Sequence, residues 1–284
     1  LQPLSNCRDT ASTPSWSWTN SYGIGGTSFS APQVAGAAAL VRDYFLAGYY
    51  PTGVKNGSTG FTPAGTLVKA VILASGEPLG TTAYPSTNCT GCSAIGARPS
   101  NDQGYGRMNL PAALRVGGSD TKYLWVQNDV AITSGQTHNY TYTINSNTAG
   151  LRVMLVWYDT GAGVTLANNM NLTVNVAGTN YLGNVFSGGY STTGGTADAS
   201  NPQEGVFLTS AQMPSSGTIT VSVNGASLSG TNYYSLAVIG NVGDMMDREH
   251  LRLTGPAREI LLDGIRHGTV EMWERDLNIY GIST

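Results

Sequence analysis

Charge is scarce in this sequence. Only 11% of the 284 residues are Asp, Glu, Lys or Arg, and 14 basic against 17 acidic residues leave a formal net charge of −3. There is no Lys/Arg cluster of the kind that binds a phosphate backbone or an anionic membrane surface, so nucleic acid is not expected as a partner. Long apolar runs are also missing. The longest, such as Ala35 to Val41 and Val71 to Ala74, fall well short of the about 18 residues of a membrane span, and the chain reads as soluble, with no membrane partner. Cysteine is limited to Cys7, Cys89 and Cys92, an odd count that allows at most one internal disulfide. Cys89-Thr90-Gly91-Cys92 has C-x-x-C spacing but lies in a Gly/Ser/Pro-rich stretch rather than ahead of a helix. A local disulfide or two idle thiols is the expectation there.

What is abundant points to a folded, turn-rich protein. Forty per cent of the residues are hydrophobic and 37 are glycine, amid many Ser, Thr and Asn, while the length suits two ordinary domains or one large one. Four Asn-x-Ser/Thr sequons, at Asn56, Asn88, Asn139 and Asn171, point to a secretory route and hence a secreted or extracytoplasmic protein.

Residues 1–118 read as α/β. One helix is predicted from about Ser30 to Phe45, with Pro32 in its first turn, where a missing N–H costs nothing. Ala35, Ala38, Ala39 and Val41 make it apolar nearly all round, as in a buried helix. A second helix, about Thr66 to Ala74, stops at Ser75-Gly76. Residues 119–243 carry short β runs between turn residues: 123–126, 138–144, 152–157, 171–176, 218–223 and 233–239. Such spacing predicts an antiparallel sandwich, and Leu172, Val174 and Val176 alternate with Asn171, Thr173 and Asn175 as a one-sided strand would. The aromatics Trp125, Trp157, Tyr233 and Tyr234 are expected as core or strand-pair residues, and Ser187 to Ser200 as a long surface loop. Residues 244–284 differ sharply, holding 13 of the 31 charged residues. This charged tail is either a peripheral appendage or, through a helix over 256–267, a docking element.

The chemistry-bearing stretch is Gly25-Gly26-Thr27-Ser28-Phe29-Ser30-Ala31-Pro32-Gln33-Val34-Ala35-Gly36. It sets a serine where a glycine-rich turn enters a helix, so that unpaired backbone N–H groups and the positive end of the helix dipole face a nascent oxyanion. A helix cap can look similar, and an α/β-hydrolase elbow would need glycine where Ser30 stands. The pattern resembles the nucleophile signature of subtilisin-like serine proteases. That resemblance implies Ser28 as the acylated nucleophile with its own N–H as an oxyanion donor, Pro32 opening the helix and Gly36 allowing close packing. Gly104-Tyr105-Gly106-Arg107-Met108-Asn109 is similar to the family's closing G-x-G-x-x-N segment, preceded by the helix containing Val68 to Ile72.

Leu151 to Asp159, Leu166 to Leu172 and Asn201 to Val206 are similar to parts of the β-sandwich that follows the protease domain in one bacterial alkaline subtilase group. The resemblance thus implies a partial subtilisin-like parallel-sheet α/β domain followed by an all-β antiparallel, jelly-roll-like sandwich. At the turn where that group tends to carry two carboxylates this chain has Asn169 and Asn171, leaving Asp159 and Glu204 as nearby acids. Calcium affinity follows the number of charged oxygen ligands, so no tight calcium site is expected, and the chemistry requires no cofactor.

A serine protease also needs a base and an acid that orients it. In subtilases both, together with an oxyanion Asn, precede the serine, yet the 27 residues ahead of Ser28 contain no histidine. His138, His250 and His267 match no family position, nor does Asp9. The resemblance therefore implies serine endopeptidase action on protein or peptide substrates through an acyl-enzyme on Ser28, with Asp, His and Asn on a segment N-terminal to this one. The other reading is a catalytically inactive subtilase fragment serving as a binding or folding module. In either case, without earlier strands to cover it, the first helix would expose apolar faces.

Overall fold

The computed structural model describes residues 27–79, 96–101, 103–117, 121–160 and 166–244. Cys7, Asp9, Cys89, Cys92, His250, His267 and the expected helix over 256–267 lie outside them.

Three helices come first: α1 (Thr27–Leu46), α2 (Gly65–Ala74) and the single turn α3 (Leu110–Ala113). The strands follow: β1 (Tyr123–Ile132), β2 (Thr137–Ile144), β3 (Leu151–Trp157), β4 (Asn169–Val176), β5 (Thr179–Leu182), β6 (Phe186–Ser187), β7 (Tyr190–Ser191), β8 (Gln203–Leu208), β9 (Gly217–Ser227), β10 (Asn232–Gly240) and β11 (Val242–Asp244). They form a four-stranded sheet in the order β1-β10-β3-β8, a five-stranded sheet in the order β11-β2-β9-β4-β5, and a small β6-β7 ribbon.

The two large sheets face each other across a core whose residues recur at every second position, as pleated strands require. Leu151, Val153, Leu155 and Trp157 of β3 meet Leu172, Val174 and Val176 of β4, with Ile219, Val221 and Val223 of β9 alongside. The other face of the first sheet is buried as well. Met154, Val156, Phe207, Ala237 and Ile239 pack against Val41, Tyr44 and Phe45 of α1 and Leu67, Ala70 and Val71 of α2. A helical layer on one face and the second sheet on the other explain why β3 is an almost unbroken apolar run.

This architecture corrects the expectation of a parallel-sheet α/β domain. Every strand pairing among the described residues is antiparallel. Among the described residues between α1 and β1 there are two isolated antiparallel bridges, Glu77 with Arg107 and Ser100 with Gly104. Parallel strands need crossover connections that return each strand to the same sheet. Here α2 instead docks on the outside of an antiparallel sheet, and α1 packs on α2.

The first helix also differs from its expected form. It begins at Thr27, which places Pro32 in the second turn, where its ring lacks the N–H that would reach the Ser28 carbonyl. Ala31 to Gly36 are exposed, Val34 and Leu40 are 44% and 62% exposed, and Ala37 is the first buried residue among the described side chains of the helix. Only the C-terminal half is anchored, by Phe45 in an aromatic cluster with Tyr44, Tyr50 and Phe61. In the expected surface loop, Tyr190 and Ser191 form β7, with Ser191 buried and its Oγ accepting from the Phe207 N–H. Trp157 and Tyr234 are buried, whereas Tyr233 is 51% exposed.

If α1 is held by its C-terminal half, Phe45→Ala should lower unfolding free energy by about 3–5 kcal/mol. Leu40→Ala should change it by no more than about 0.5 kcal/mol. Urea denaturation of both variants checks this, and equal losses would contradict the described seating of α1.

Candidate functional site

Ser28 is the second residue of α1 and is exposed. In that position its backbone N–H is one of the four that a helix leaves unpaired at its start. The helix dipole adds a positive potential at the same place. No acid occupies the first turn, so hydroxyl, amide and dipole share one exposed end of the helix.

His138, the histidine among the described residues, lies on β2 of the sandwich, where its Nδ1 is 2.9 Å from the Tyr234 hydroxyl. That hydroxyl is in turn 2.6 Å from the Tyr140 hydroxyl. His138 is thus committed to the hydroxyl of the buried Tyr234.

The closing segment wraps the end of α2. Glu77 and Arg107 exchange backbone hydrogen bonds of 2.8 Å in both directions. Gly106, at φ +102°, presses so closely on the Glu77 carbonyl that a Cβ would run into it. The Asn109 N–H donates to the Ser75 backbone carbonyl and hydroxyl, and its Nδ2 donates to Glu77 Oε1 at 2.8 Å. The glycines and the asparagine of G-x-G-x-x-N therefore have local structural reasons. Tyr105, between the glycines, packs on Phe207 and Phe186 and donates its hydroxyl to Asn184 Oδ1 at 2.8 Å, which fastens the segment to the sandwich. Burial pushes the Tyr105 phenol well above its usual range. Asn184 also donates to Asp198 at 2.7 Å. Burial raises Asp198, but bonds from Asn184, Asn201 and the Ser200 backbone outweigh it and hold the carboxyl below its ordinary value.

The residues considered for calcium are spread over separate hydrogen-bond systems. Asp159 accepts from the backbones of Ala167 and Asn168 at 3.1 and 2.9 Å and so closes its own loop. Asn169 Nδ2 is 3.4 Å from Asn171 Oδ1. Glu204 points between the sheets, 0% exposed, and its Oε2 accepts the Leu172 N–H of β4 at 2.6 Å. Gly183 is needed beside it, because a Cβ there would collide with the carboxylate. Glu204 Oε1 has no partner among the described residues, and no group of three or more His, Cys, Asp or Glu placed to hold a metal occurs among them.

The burial of Glu204 and the role of Arg152 escaped sequence reasoning. Glu204 shares the inward face of β8 with Val206 and Leu208, but the apolar Phe207 between those two hides the alternation. Arg152 stands alone in the apolar run of β3, and that isolation was the available signal.

No family model matches the chain. Curated relatives do. The chain is 30% identical over 222 residues to the serine protease/ABC transporter B family protein tagD of Dictyostelium discoideum, covering 65% of this chain and 12% of that one. It is also 30% identical over 156 residues to the tagA protein of the same name and organism, covering 52% and 8%. These names relate the chain to proteases. It spans about a tenth of the length of these relatives. Among solved structures, one of infectious bursal disease virus Gt strain aligns at 14% identity over 46% of this chain and 34% of that one, with a TM-score of 0.23, too low to support an argument.

The Glu204 carboxyl is pushed up to about 8 by burial, with the charge of Asp198 adding to it and the Leu172 N–H working against it. Between its ordinary value of 4.5 and about 8, the folded protein keeps a proton that the unfolded chain releases. Folding stability therefore falls as pH rises through that window. Glu204→Gln keeps the shape and does not titrate. Its melting temperature should gain on the wild type by several degrees between pH 5 and pH 8. A difference that stays flat across that range would show that the carboxyl does not titrate in a buried site.

Proposed function

We propose that this chain carries the nucleophile of a subtilisin-like serine endopeptidase. Ser28 attacks the peptide carbonyl, its proton passing to a histidine. The carbonyl π pair moves onto oxygen and then returns to expel the amine, which takes the proton back from the histidine, leaving an acyl-enzyme that water hydrolyses. The Ser28 N–H faces the developing oxyanion. The base, its orienting aspartate and a side-chain oxyanion donor come from sequence N-terminal to Leu1. Protein or peptide chains are the substrates, and acyl transfer of this kind uses no cofactor.

The observation that carries the reading is an exposed serine at the start of a 20-residue helix, behind Gly25-Gly26, in a chain whose relatives are named as proteases. The exposed sequons Asn56 and Asn139 support secretion as part of the same proposal. Tight calcium is not part of it, since the amides of Asn169 and Asn171 are neutral ligands. A second reading, a catalytically silent module that binds or folds a partner, draws on the way the sandwich clamps the closing segment through Tyr105 and Asn184.

Fluorophosphonate labelling of the natural protein, followed by intact mass and mapping of the modified residue, decides between them. The expected result is a labelled species well above 29.7 kDa, modified at Ser28, with Ser28→Ala abolishing label and peptidase activity together. Peptidase activity that survives without a label on Ser28 would overturn the assignment, and loss of both in the wild type would leave the module reading.

A further inference from the structure

The outer face of the second sheet carries no charge on its four longest-paired strands. None of β2, β4, β5 and β9 contains Asp, Glu, Lys or Arg. Alternation turns the apolar side chains of β4 and β9 into the core and leaves Asn, Thr and Ser outside. Register then aligns these groups across strands. Asn139 of β2 lies opposite Ser222 of β9, which lies opposite Thr173 of β4, and Thr141, Thr220 and Asn175 form the adjacent row. Soluble proteins commonly keep exposed sheets hydrated and apart with charged side chains, Lys above all. Here hydroxyls and amides take that place.

Two glycosylation sequons fall on this face. Residues i and i+2 of a strand point the same way, so Asn139 and Thr141 stand side by side on the solvent side, as do Asn171 and Thr173. They differ in access. Asn139 is exposed, whereas Asn171 is half-buried with its Oδ1 3.4 Å from Asn169 Nδ2. The Ser222 hydroxyl donates to Asn139 Oδ1 at 2.7 Å and so orients the carboxamide. Asn139 Nδ2, the atom to which a sugar is joined, has no partner among the described residues. The exposed Asn56 is placed differently. Its Oδ1 closes its own turn, accepting from the Ser58 N–H at 3.2 Å and from the Ser58 hydroxyl of the same sequon at 2.7 Å.

We propose that Asn139 is an N-glycosylation site whose glycan stands on the uncharged outer face of the second sheet. Its sugar donor is met on the secretory route proposed above, on which this site therefore depends. Asn139 Nδ2 attacks the anomeric carbon of an oligosaccharide carried on a lipid diphosphate. A C–N bond replaces the C–O bond, the lipid diphosphate leaves with the electron pair, and Nδ2 gives up one proton. The bulky, hydrated sugar then keeps this face in solution as charges do on other sheets. Ser222 and Thr173 lie in the row beneath it.

Peptide N-glycosidase F in heavy-oxygen water turns a glycosylated asparagine into a labelled aspartate. Applied to the natural protein, collected separately from medium and from cells, it should label position 139, read by peptide mass spectrometry. Asn139→Gln and Thr141→Ala should each lower the intact mass by one glycan, whereas Ser222→Ala, which leaves the sequon whole, should keep it. All three should melt within a few degrees of the enzymatically deglycosylated wild type. Label at Asn139 supports the proposal wherever the protein is found, and its absence overturns it. Secreted protein labelled at Asn56 but not at Asn139 would remove this site and leave the secretory route standing, while protein confined to cells and labelled at neither would remove both. An intact mass unchanged in Thr141→Ala would also sink the assignment.

Discussion

The structure depends on burial of both faces of the first sheet. One face closes the sandwich core, and the other carries α2, with the C-terminal half of α1 packed on α2. A sheet covered on two sides has apolar residues at nearly every position. That demand accounts for β3 and β10, whose burial is almost continuous, while β4 and β9 keep a solvated face and alternate. It also orders the chain. The helices precede the strands in sequence, yet the apolar face of α2 is covered by β3 and β10, which come later in the chain, and by α1.

The same layering makes the end of α2 a meeting point for polar groups. A helix ends in carbonyls without intrahelical partners and in the negative pole of its dipole. Here Arg152 from β3 and Arg98 supply donors to the carbonyls of Ala74 and Gly76. The closing segment then adds a backbone exchange with Glu77. Arginine suits this task because its guanidinium is weakly hydrated and lies flat on aromatic faces, so Phe207 and Tyr190 replace part of the water that Arg98 gives up. Glu204 shows the opposite solution. A buried carboxyl with one hydrogen bond and no cation keeps its proton instead.

Much of the sandwich was legible in sequence, because alternation and turn residues are local signals. Asn171 to Val176 lies within β4 and Tyr233 to Ile239 within β10. The short strands β5, β7 and β11 were not, since two to four residues carry no period, and β11 in addition pairs with β2, distant in sequence. The layer over the first sheet was misassigned for a related reason. An apolar helix announces that it needs cover, but whether a parallel or an antiparallel sheet provides it is decided by pairing that the helix sequence does not encode. At the candidate site, Ser28 was visible as a motif, and the partners of Tyr105 and Asn109 were not, because each is a hydrogen bond across many residues. Glu204 was named as an acid near the turn considered for calcium and proves buried between the sheets, which only the register of β8 determines.

The position of Ser28 follows from how little of α1 is anchored. At 1.5 Å per residue, the nine steps from Ser28 to Ala37, the first buried residue among the described side chains of the helix, put the serine roughly 13 Å along the axis from Ala37. That overhang contains Pro32 and Gly36, the two poorest helix formers. A helix of this composition gains little from propensity, and isolated turns are marginal in water, so packing must supply the stability. Along the overhang and just beyond it, Val34 and Leu40 present apolar surface outward. A serine protease tolerates little displacement of its nucleophile from its base. A serine on an overhang of this kind is therefore placed accurately only when apolar contacts along Val34 and Leu40 fix the helix. The surface that would steady Ser28 and the groups that would activate it are then required together, which makes competence of the serine a property of the assembled protein rather than of the helix that bears it.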